Sequence, residues 1–222
     1  MSNISIIPAI RRIFAESTWR AYCEERFNVI VEQLRKLPKT ASVLLLGRYR
    51  SDINLMIRCD QSGLFSIDQS TGNIRFLEKP DMDIRFMTAH ASKGLQRDFV
   101  FLLCCSGGLK GFPSTIPEEP LLGLLLPEVE RCPHAEERRL FYVAMTRCKK
   151  KLFFIVDQTR PSRFMYELHS KICPNIFRGV KLPPQCPNCG EALSLRHNRN
   201  DPNRSFYGCT GFPNCRYTQQ AK

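Results

Sequence analysis

Four cysteines near the carboxyl end constrain the fold of this chain more than any other feature. The run CPNCG supplies Cys186 and Cys189, and the run GCTGFPNC supplies Cys209 and Cys215. Two close pairs about twenty residues apart let two short turns face each other and close a tetrahedral sulfur cage. Gly190 suits the tight turn after the first pair. The alternative is four ordinary buried cysteines, but pairs this compact seldom arise by packing alone, so we predict a structural Zn²⁺ ion.

The chain is strongly basic. Its 222 residues carry 33 Lys and Arg against 21 Asp and Glu, a formal net charge of +12. Four thiolates with one Zn²⁺ would bring this down by two, to +10. Such an excess favours a polyanionic partner, with nucleic acid first and an anionic membrane surface as the alternative. The hydrophobic share of 43% and aromatic share of 10% are typical of a folded protein, so the charge lies on a shaped surface.

Composition also indicates where such a chain resides. No apolar run approaches the roughly 18 residues that a membrane span needs, and the opening MSNISIIPAIRR lacks the features of a secretory signal. Eleven cysteines with irregular spacing outside the tail fit reduced thiols better than a disulfide framework. We therefore expect a soluble, cytoplasmic protein. The cysteines outside the tail are predicted to be packing residues: Cys23, Cys59, Cys104, Cys105, Cys132, Cys148 and Cys173.

Basic and aromatic side chains are interleaved around the cysteine pairs. Side chains of this kind can hold phosphates while stacking on unpaired bases, and we take Arg204, Phe206 and Tyr207 as candidate nucleic-acid contacts. The alternative is that the aromatic residues form the small core of the module. The other members of the set are Arg196, His197, Arg199, Phe212, Arg216 and Tyr217.

Upstream of the cysteines the hydrophobic pattern predicts an α/β domain. Apolar residues at helical spacing predict a helix over Thr18–Leu37 that stops at Pro38, and AEERRLFYVAMTRC predicts another over Ala135–Cys148. Continuous apolar runs alternating with helices predict buried strands in a parallel sheet. The predicted strands are Val43–Leu46, Ile84–Thr88, Asp98–Leu103 and Lys151–Val156, with a short helix between the second and third.

Three regions are expected along the chain. They are an N-terminal helical segment over 1–40, the α/β domain over 41–180 and the zinc module over 183–220, which follows a shift in composition at Pro183. Residues 104–134 are rich in Gly and Pro and form a long connection. Loops of that length are usually functional or disordered.

Two segments are too polar for their place in a core. In FMTAHASKGLQRDFVFLL, Thr88, His90, Ser92, Lys93 and Gln96 lie at or past the carboxyl end of a predicted strand, the end that faces the ligand crevice in open α/β sheets. The alternative is a loop that is simply polar. The second segment is the helix ending in Arg147, where an arginine ordinarily complements the helix dipole.

Taken together, these segments resemble a known family. FMTAHASKGLQRDFVFLL resembles motif V, AEERRLFYVAMTRCKKKLFFIV resembles motif VI and VLLLGRYRSDI resembles motif IVa of the UvrD/Rep-like superfamily 1 DNA helicases, in particular its helicase IV members. The resemblance runs from about residue 40 to 158 and implies a RecA-like second motor domain, packed against a first across a cleft that holds ATP. The tail resembles the zinc-ribbon repeats of bacterial type I topoisomerases, which implies single-stranded DNA binding.

The resemblance also implies roles for single residues. Arg147 matches the motif VI arginine that reaches the γ-phosphate, where a planar, permanently charged guanidinium stabilises charge spreading over phosphoryl oxygens. Thr88, His90 and Lys93 match positions that contact the backbone of single-stranded DNA. Gln96 matches a position near the nucleotide ribose that is usually glutamate, and glutamine keeps the hydrogen bonding without the charge.

One expected motif is absent. The sequence contains no Gly-x-x-x-x-Gly-Lys-Ser/Thr, so ATP and Mg²⁺ are expected only with a complementing phosphate-loop domain. The run Phe153–Asp157 is superficially similar to a magnesium-holding aspartate strand, but it follows the arginine helix and has no phosphate loop to serve. The large subdomain that many relatives insert between motifs IVa and V is missing too.

Two functions follow from these features. The leading one is the C-terminal motor half of an ATP-dependent 3′–5′ DNA helicase, with single-stranded DNA and an N-terminal helicase half, in trans or lost by truncation, as partners. The alternative is a non-catalytic zinc-ribbon protein that binds nucleic acid, or a truncated helicase remnant.

Overall fold

A mixed seven-stranded sheet forms the centre of the larger domain. The computed structural model describes residues 3–10, 19–103, 105–108, 110–114, 116, 134–172, 174–177, 180–198, 201 and 204–221. The strand order is β1-β7-β6-β2-β5-β4-β3, in which β3 and β4 form an antiparallel hairpin and the other five strands run parallel. The strands are β1 Asn3–Ile10, β2 Ser42–Gly47, β3 Phe65–Ile67, β4 Asn73–Phe76, β5 Asp83–Thr88, β6 Arg97–Leu102 and β7 Cys148–Asp157.

Helices cover both faces of this sheet. They are α1 Trp19–Lys36, α2 Asn54–Cys59, α3 Ala135–Met145 and α4 Arg163–Glu167, with shorter helical turns at Arg50–Ile53, Leu168–Ile172 and Pro174–Phe177. Successive residues of a strand point to opposite faces, so Val43 and Leu45 pack towards α1 and α2, whereas Leu44 and Leu46 pack towards α3 and α4. Both faces are buried, which explains the continuous apolar run of β2.

The predicted α/β class is confirmed, and the four predicted strands correspond to β2, β5, β6 and β7. The helices predicted over Thr18–Leu37 and Ala135–Cys148 correspond to α1 and α3. The short helix predicted between β5 and β6 is wrong, because residues 89–94 form a turn. That turn contains Gly94 at φ +85°, a left-handed conformation that cannot continue a right-handed helix.

Three strands of the larger sheet were not predicted. β1 pairs in parallel with β7 and extends the sheet at one edge, while the β3–β4 hairpin extends it at the other. The long connection predicted over 104–134 lies mostly outside the described residues. Among the described helices, none is long and apolar enough to cross a membrane.

The carboxyl-terminal module is a small antiparallel sheet beside the cysteines. Its strands are β8 Leu193–His197, β9 Ser205–Cys209 and β10 Thr218–Gln220, in the order β10-β9-β8. We call residues 184–221 the ribbon. Its buried core consists of Cys186, Leu193 and Cys209, with Tyr207 and Tyr217 packed against it. A core this small needs a further source of stability.

Candidate functional site

The four predicted ligand cysteines converge in one cluster. All four Sγ atoms lie within 4.8 Å of one another. The Sγ atoms of Cys186 and Cys215 are 3.7 Å apart, and those of Cys189 and Cys209 are 3.3 Å apart. Four sulfurs about 2.3 Å from a tetrahedral Zn²⁺ would be separated by roughly 3.8 Å, so the donor set and its spacing fit this metal.

The backbone around the cluster is arranged for thiolates. Gly190 adopts φ +76° and its N–H donates to the Cys186 carbonyl, closing the predicted tight turn. The Gly211 N–H donates to the Cys209 Sγ at 3.3 Å. Burial opposes ionisation of Cys186, but hydrogen bonds from the N–H groups of Cys189 and Asn188 and from the neighbouring thiols together lower the pKa of its thiol, whereas burial raises the pKa of the Cys189 and Cys209 thiols.

The described cysteines outside the ribbon are packing residues. Cys23, Cys59, Cys105 and Cys148 are all buried, and burial raises the pKa of the Cys148 thiol to about 11. Such a thiol stays protonated and unreactive at neutral pH. The predictions for Cys104, Cys132 and Cys173 lie outside the residues that the structure describes.

The aromatic residues of the ribbon divide between its two faces. Tyr207 packs against the cysteine core, as the alternative interpretation of these aromatics expected. Phe206 directly precedes Tyr207 in β9 and therefore points to the opposite face, where it pairs across the sheet with Arg196. Arg204 is exposed immediately before the strand. We call Arg196, Arg204 and Phe206 the open face of the ribbon.

Arg147 and Gln96 are close in space although they are about 50 residues apart in sequence. The Gln96 side-chain amide approaches the carbonyl of Thr146 at 3.5 Å, and the Arg147 guanidinium donates to the carbonyl of Leu95 at 3.3 Å. The same guanidinium also donates to the carbonyl of Val143 at 2.9 Å and to the Thr146 hydroxyl at 3.0 Å. The segments resembling motifs V and VI are therefore in direct contact through their polar residues.

Thr88, His90 and Lys93 lie on the turn that leaves β5. The Thr88 carbonyl accepts from the Ser92 N–H at 3.1 Å, and the buried Ser92 hydroxyl donates to the Ala89 carbonyl. Thr88 itself is half-buried. Because Ser92 anchors the turn inside the domain, His90 and Lys93 are displayed on its exposed side.

The candidate residues lie at opposite ends of the parallel strands, some at the carboxyl-terminal ends and others at the amino-terminal ends. Thr88 pairs with Gly47 at the carboxyl end of β2, whereas Phe99 of β6 pairs with Val43 near its beginning. At about 3.3 Å per residue these two positions of β2 are roughly 13 Å apart. The connection between β5 and β6 therefore runs from the carboxyl-terminal ends of the strands back to their amino-terminal ends. Gln96 therefore lies at the amino-terminal ends of the strands, directly before β6. The sequence pattern had predicted it at the opposite, carboxyl-terminal ends, which face the crevice.

A second polar group at the carboxyl-terminal edge was not predicted. Arg48 follows β2, and two nitrogens of its guanidinium make three hydrogen bonds to the Glu137 carboxylate, with a closest N–O distance of 2.5 Å. Glu137 also accepts from the Ser114 N–H, and the Tyr49 hydroxyl hydrogen-bonds to the Ser114 hydroxyl at 2.6 Å. A charged residue directly after a buried strand, with an acidic residue in the first turn of a crossover helix, is the signal that could have indicated this pairing.

A mostly parallel α/β domain followed by a four-cysteine ribbon defines the class of protein. Residues 62–159 match the family described as "UvrD-like helicase C-terminal domain", and residues 184–222 match "Topoisomerase DNA binding C4 zinc finger". The chain therefore contains a UvrD-like helicase C-terminal domain followed by a topoisomerase-type C4 zinc ribbon. Both resemblances inferred from the sequence are confirmed.

Individual relatives are similar over part of their length. DNA helicase IV of Escherichia coli is 44% identical over 86 residues, which are 39% of this chain and 13% of that protein. ATP-dependent DNA helicase Rep of Buchnera aphidicola is 35% identical over 105 residues, 43% of this chain and 14% of that protein. A solved C-terminal domain of a possible DNA helicase from Lactobacillus plantarum is 13% identical, with 70% of this chain and 73% of that chain covered and a TM-score of 0.39, a likeness too weak to support a conclusion. The chain spans about an eighth to a seventh of these two curated relatives.

Proposed function

We propose that this chain supplies the second motor domain and a DNA-gripping zinc ribbon to an ATP-dependent 3′–5′ DNA helicase. The observation that carries this proposal is the contact between Arg147 and the segment around Gln96, which joins the end of the motif VI helix to the last part of the motif V segment, at the amino-terminal ends of the strands. The proteins that it resembles are DNA helicases by name.

In this proposal Arg147 acts on the nucleotide of a partner domain. The chain has no phosphate-loop motif, so a first motor domain would provide the cradle for ATP and Mg²⁺. Arg147 would exchange its carbonyl acceptors on Val143 and Leu95 for phosphoryl oxygens, which accept more strongly because they are charged. Gln96 lies beside it and would hydrogen-bond to the ribose.

Single-stranded DNA would contact two surfaces. The exposed side of the β5–β6 turn offers His90 and Lys93 to the DNA backbone, with Thr88 at its base. The open face of the ribbon offers Arg204 to phosphates and Phe206 to bases. Tyr207, which packs on the cysteine core, would contribute by fixing the orientation of β9.

Reconstitution with a phosphate-loop domain from a relative tests the catalytic assignment. DNA-stimulated ATP hydrolysis should appear in the complex and fall by about 10³-fold or more in Arg147→Ala, as expected for loss of an arginine that stabilises the transition state. Arg139→Ala provides the control, because Arg139 lies on the same helix but is exposed and paired with Glu136. Unchanged turnover in Arg147→Ala would remove Arg147 from the mechanism.

A non-catalytic nucleic-acid-binding protein is the second candidate. The open face of the ribbon favours it, because Arg196, Arg204 and Phe206 need no nucleotide to bind single strands. Fluorescence anisotropy of a labelled oligonucleotide, measured with the phosphate-loop domain present, separates the two candidates. A change in affinity on adding ATP supports the motor, and an affinity that ATP leaves unchanged supports the binding protein.

A further inference from the structure

Arg163, the first residue of α4, connects the ribbon to the helicase domain. One terminal nitrogen of its guanidinium, Nη2, donates to the carbonyl of the ligand residue Cys189 at 3.2 Å. The other, Nη1, lies 2.6 Å from Nε2 of His134, the residue directly before α3. Neither contact belongs to the motifs discussed above, and together they join a zinc-ligand turn to the helix that leads to Arg147.

The ribbon fits closely against this guanidinium. A Cβ atom placed on Gly190 would lie 2.7 Å from Nη2 of Arg163, and Gly190 also adopts φ +76°. Glycine suits the left-handed turn behind the first cysteine pair, and its missing side chain lets the Arg163 guanidinium lie directly against this turn. The knuckle formed by residues 186–190 is shaped for contact with the helicase domain as well as for holding metal.

Further contacts surround the same point. The Tyr166 hydroxyl donates to the carbonyl of Pro183 at 3.0 Å. Glu191 is half-buried between the domains, where burial raises the pKa of its carboxyl group and the charges of Arg163 and Arg160 oppose that rise. A Cβ on Gly107 would lie 2.7 Å from Glu191 Oε2, so this carboxylate lies directly against the backbone of the helicase domain.

His134 is the residue through which this contact reaches α3. It adopts φ +58°, an unfavourable conformation for a non-glycine residue, and its carbonyl accepts the first backbone hydrogen bond of the helix, from the Arg138 N–H at 2.9 Å. Arg163 holds its imidazole in place. The Nε of Arg163 is buried without a partner among the described residues, so its orientation depends on its two terminal nitrogens.

We propose that the ribbon is docked on the helicase domain through Arg163, and that folding of the metal-bound ribbon stabilises the first turn of α3. The Cys189 carbonyl is in position only while the knuckle is closed. When the metal leaves and the knuckle opens, Arg163 loses an acceptor, His134 loses its restraint and the Arg138 N–H exchanges more freely. The ribbon is then part of the motor domain rather than a module on a flexible linker. This inference rests on the zinc assignment and not on ATP hydrolysis.

Hydrogen exchange of the full chain, with zinc and after chelation under reducing conditions, tests the proposal. Ribbon amides should exchange faster without metal, because small zinc modules unfold when it is removed. Amides in the first turn of α3 should also exchange about tenfold faster, as local opening becomes easier there. Strand β2, buried on both faces, should not respond.

Substitutions at Arg163 and Gly190 test whether the change in hydrogen exchange of α3 depends on the contact between Arg163 and the ribbon. Arg163→Met keeps an unbranched side chain but removes the donors, so the first turn of α3 should exchange fast in the zinc-loaded protein and chelation should add nothing further. Gly190→Ala pushes on the same guanidinium from the ribbon and should give the same result if Arg163→Met fails to fold. Arg35→Met, at an exposed position of α1, should behave as the unsubstituted chain.

Two outcomes would overturn the proposal. If α3 exchanges at the same rate with and without zinc while the ribbon unfolds, the ribbon is an independent module. If chelation accelerates exchange in β2 as much as in α3, the metal supports the whole chain and no path through Arg163 is needed. Neither measurement involves nucleotide or DNA, so failure here leaves the proposed motor function open to its own test.

Discussion

Asp68 shows how one exposed residue can fix a turn. It lies between β3 and β4, where Oδ1 accepts from the N–H and hydroxyl of Ser70, and Oδ2 accepts from the Thr71 hydroxyl at 2.6 Å. The hydroxyl donors of Ser70 and Thr71, with help from the Ser70 N–H, lower the pKa of this carboxyl group to about 2. Because Asp68 favours turns through bonds of this kind, it accounts for the sharp reversal of the hairpin.

The lowered pKa makes the hairpin sensitive to acid. The ionised carboxylate stabilises the folded turn above the ordinary pKa of 3.8, and this contribution is lost as the pH falls towards 2. Carboxyl titration by NMR should therefore give Asp68 a midpoint near 2. Ser70→Ala should move the midpoint towards 3.8, whereas Thr71→Ser keeps its hydroxyl and should leave it low. The same midpoint in Ser70→Ala would refute this account.

At the scale of elements, the ion pair between Arg48 and Glu137 joins the end of β2 to the start of α3. The exposed fractions of the two side chains are only 16% and 14%, so removing one charge leaves the other poorly solvated. Glu137→Gln should lower the free energy of unfolding by roughly 1–3 kcal/mol, below the full cost of breaking a buried pair because some solvent reaches this one.

Glu136 provides a matched control on the same turn of α3. It pairs with Arg139, and the exposed fractions of these side chains are 73% for Glu136 and 64% for Arg139. Glu136→Gln should change the free energy of unfolding by less than about 0.5 kcal/mol, because water already solvates both charges. Urea denaturation of the two variants measures the difference. Equal losses would mean that burial does not strengthen the Arg48–Glu137 pair.

How far the elements could be predicted depended on their burial. β2 and β7 are buried on both faces, so their apolar runs are continuous and were recognised. β3 and β4 are short, and along each strand more buried residues alternate with exposed ones. The Thr71-Gly72 turn between them was an overlooked hairpin signal. β1 contains Pro8 and lies at an edge, where a proline is tolerated but obscures the strand pattern.

The site was predictable in its parts but not in its arrangement. Cysteine spacing alone was sufficient for the metal cluster, because the ligands are local in sequence. The contact of Gln96 with the segment before Arg147 depends on a turn that crosses the sheet, which no local pattern encodes. The role of Arg163 was also hidden, since its partners Cys189 and His134 are 26 and 29 residues away.

At the scale of the whole molecule, the number of basic side chains that contact phosphates would determine how the proposed DNA binding responds to salt. If about three basic side chains neutralise phosphates, log K should fall with log salt at a slope near −2, because each single-strand phosphate contact contributes about −0.7. Arg204→Ala, on the open face of the ribbon, should reduce the slope by about 0.7. Titration of an oligonucleotide by fluorescence anisotropy at several salt concentrations gives these slopes.

Arg35 provides the comparison for this measurement. It is exposed on α1 and paired with Glu78, so Arg35→Ala removes the same formal charge away from the proposed DNA surface. Its salt slope should match that of the unsubstituted chain. Equal reductions in both variants would mean that the total charge attracts DNA and that the open face has no special part in binding.

The pairing of β1 with β7 has a consequence for the order in which the chain folds. Asn3 pairs with Lys151, so the partners are about 150 residues apart in sequence. At a translation rate of about 5–20 residues per second, β1 waits roughly 7–30 s after its own synthesis before β7 emerges. If the chain folds while it is synthesised, β1 therefore joins the sheet only after β7 has been made, and it stays unpaired during that interval.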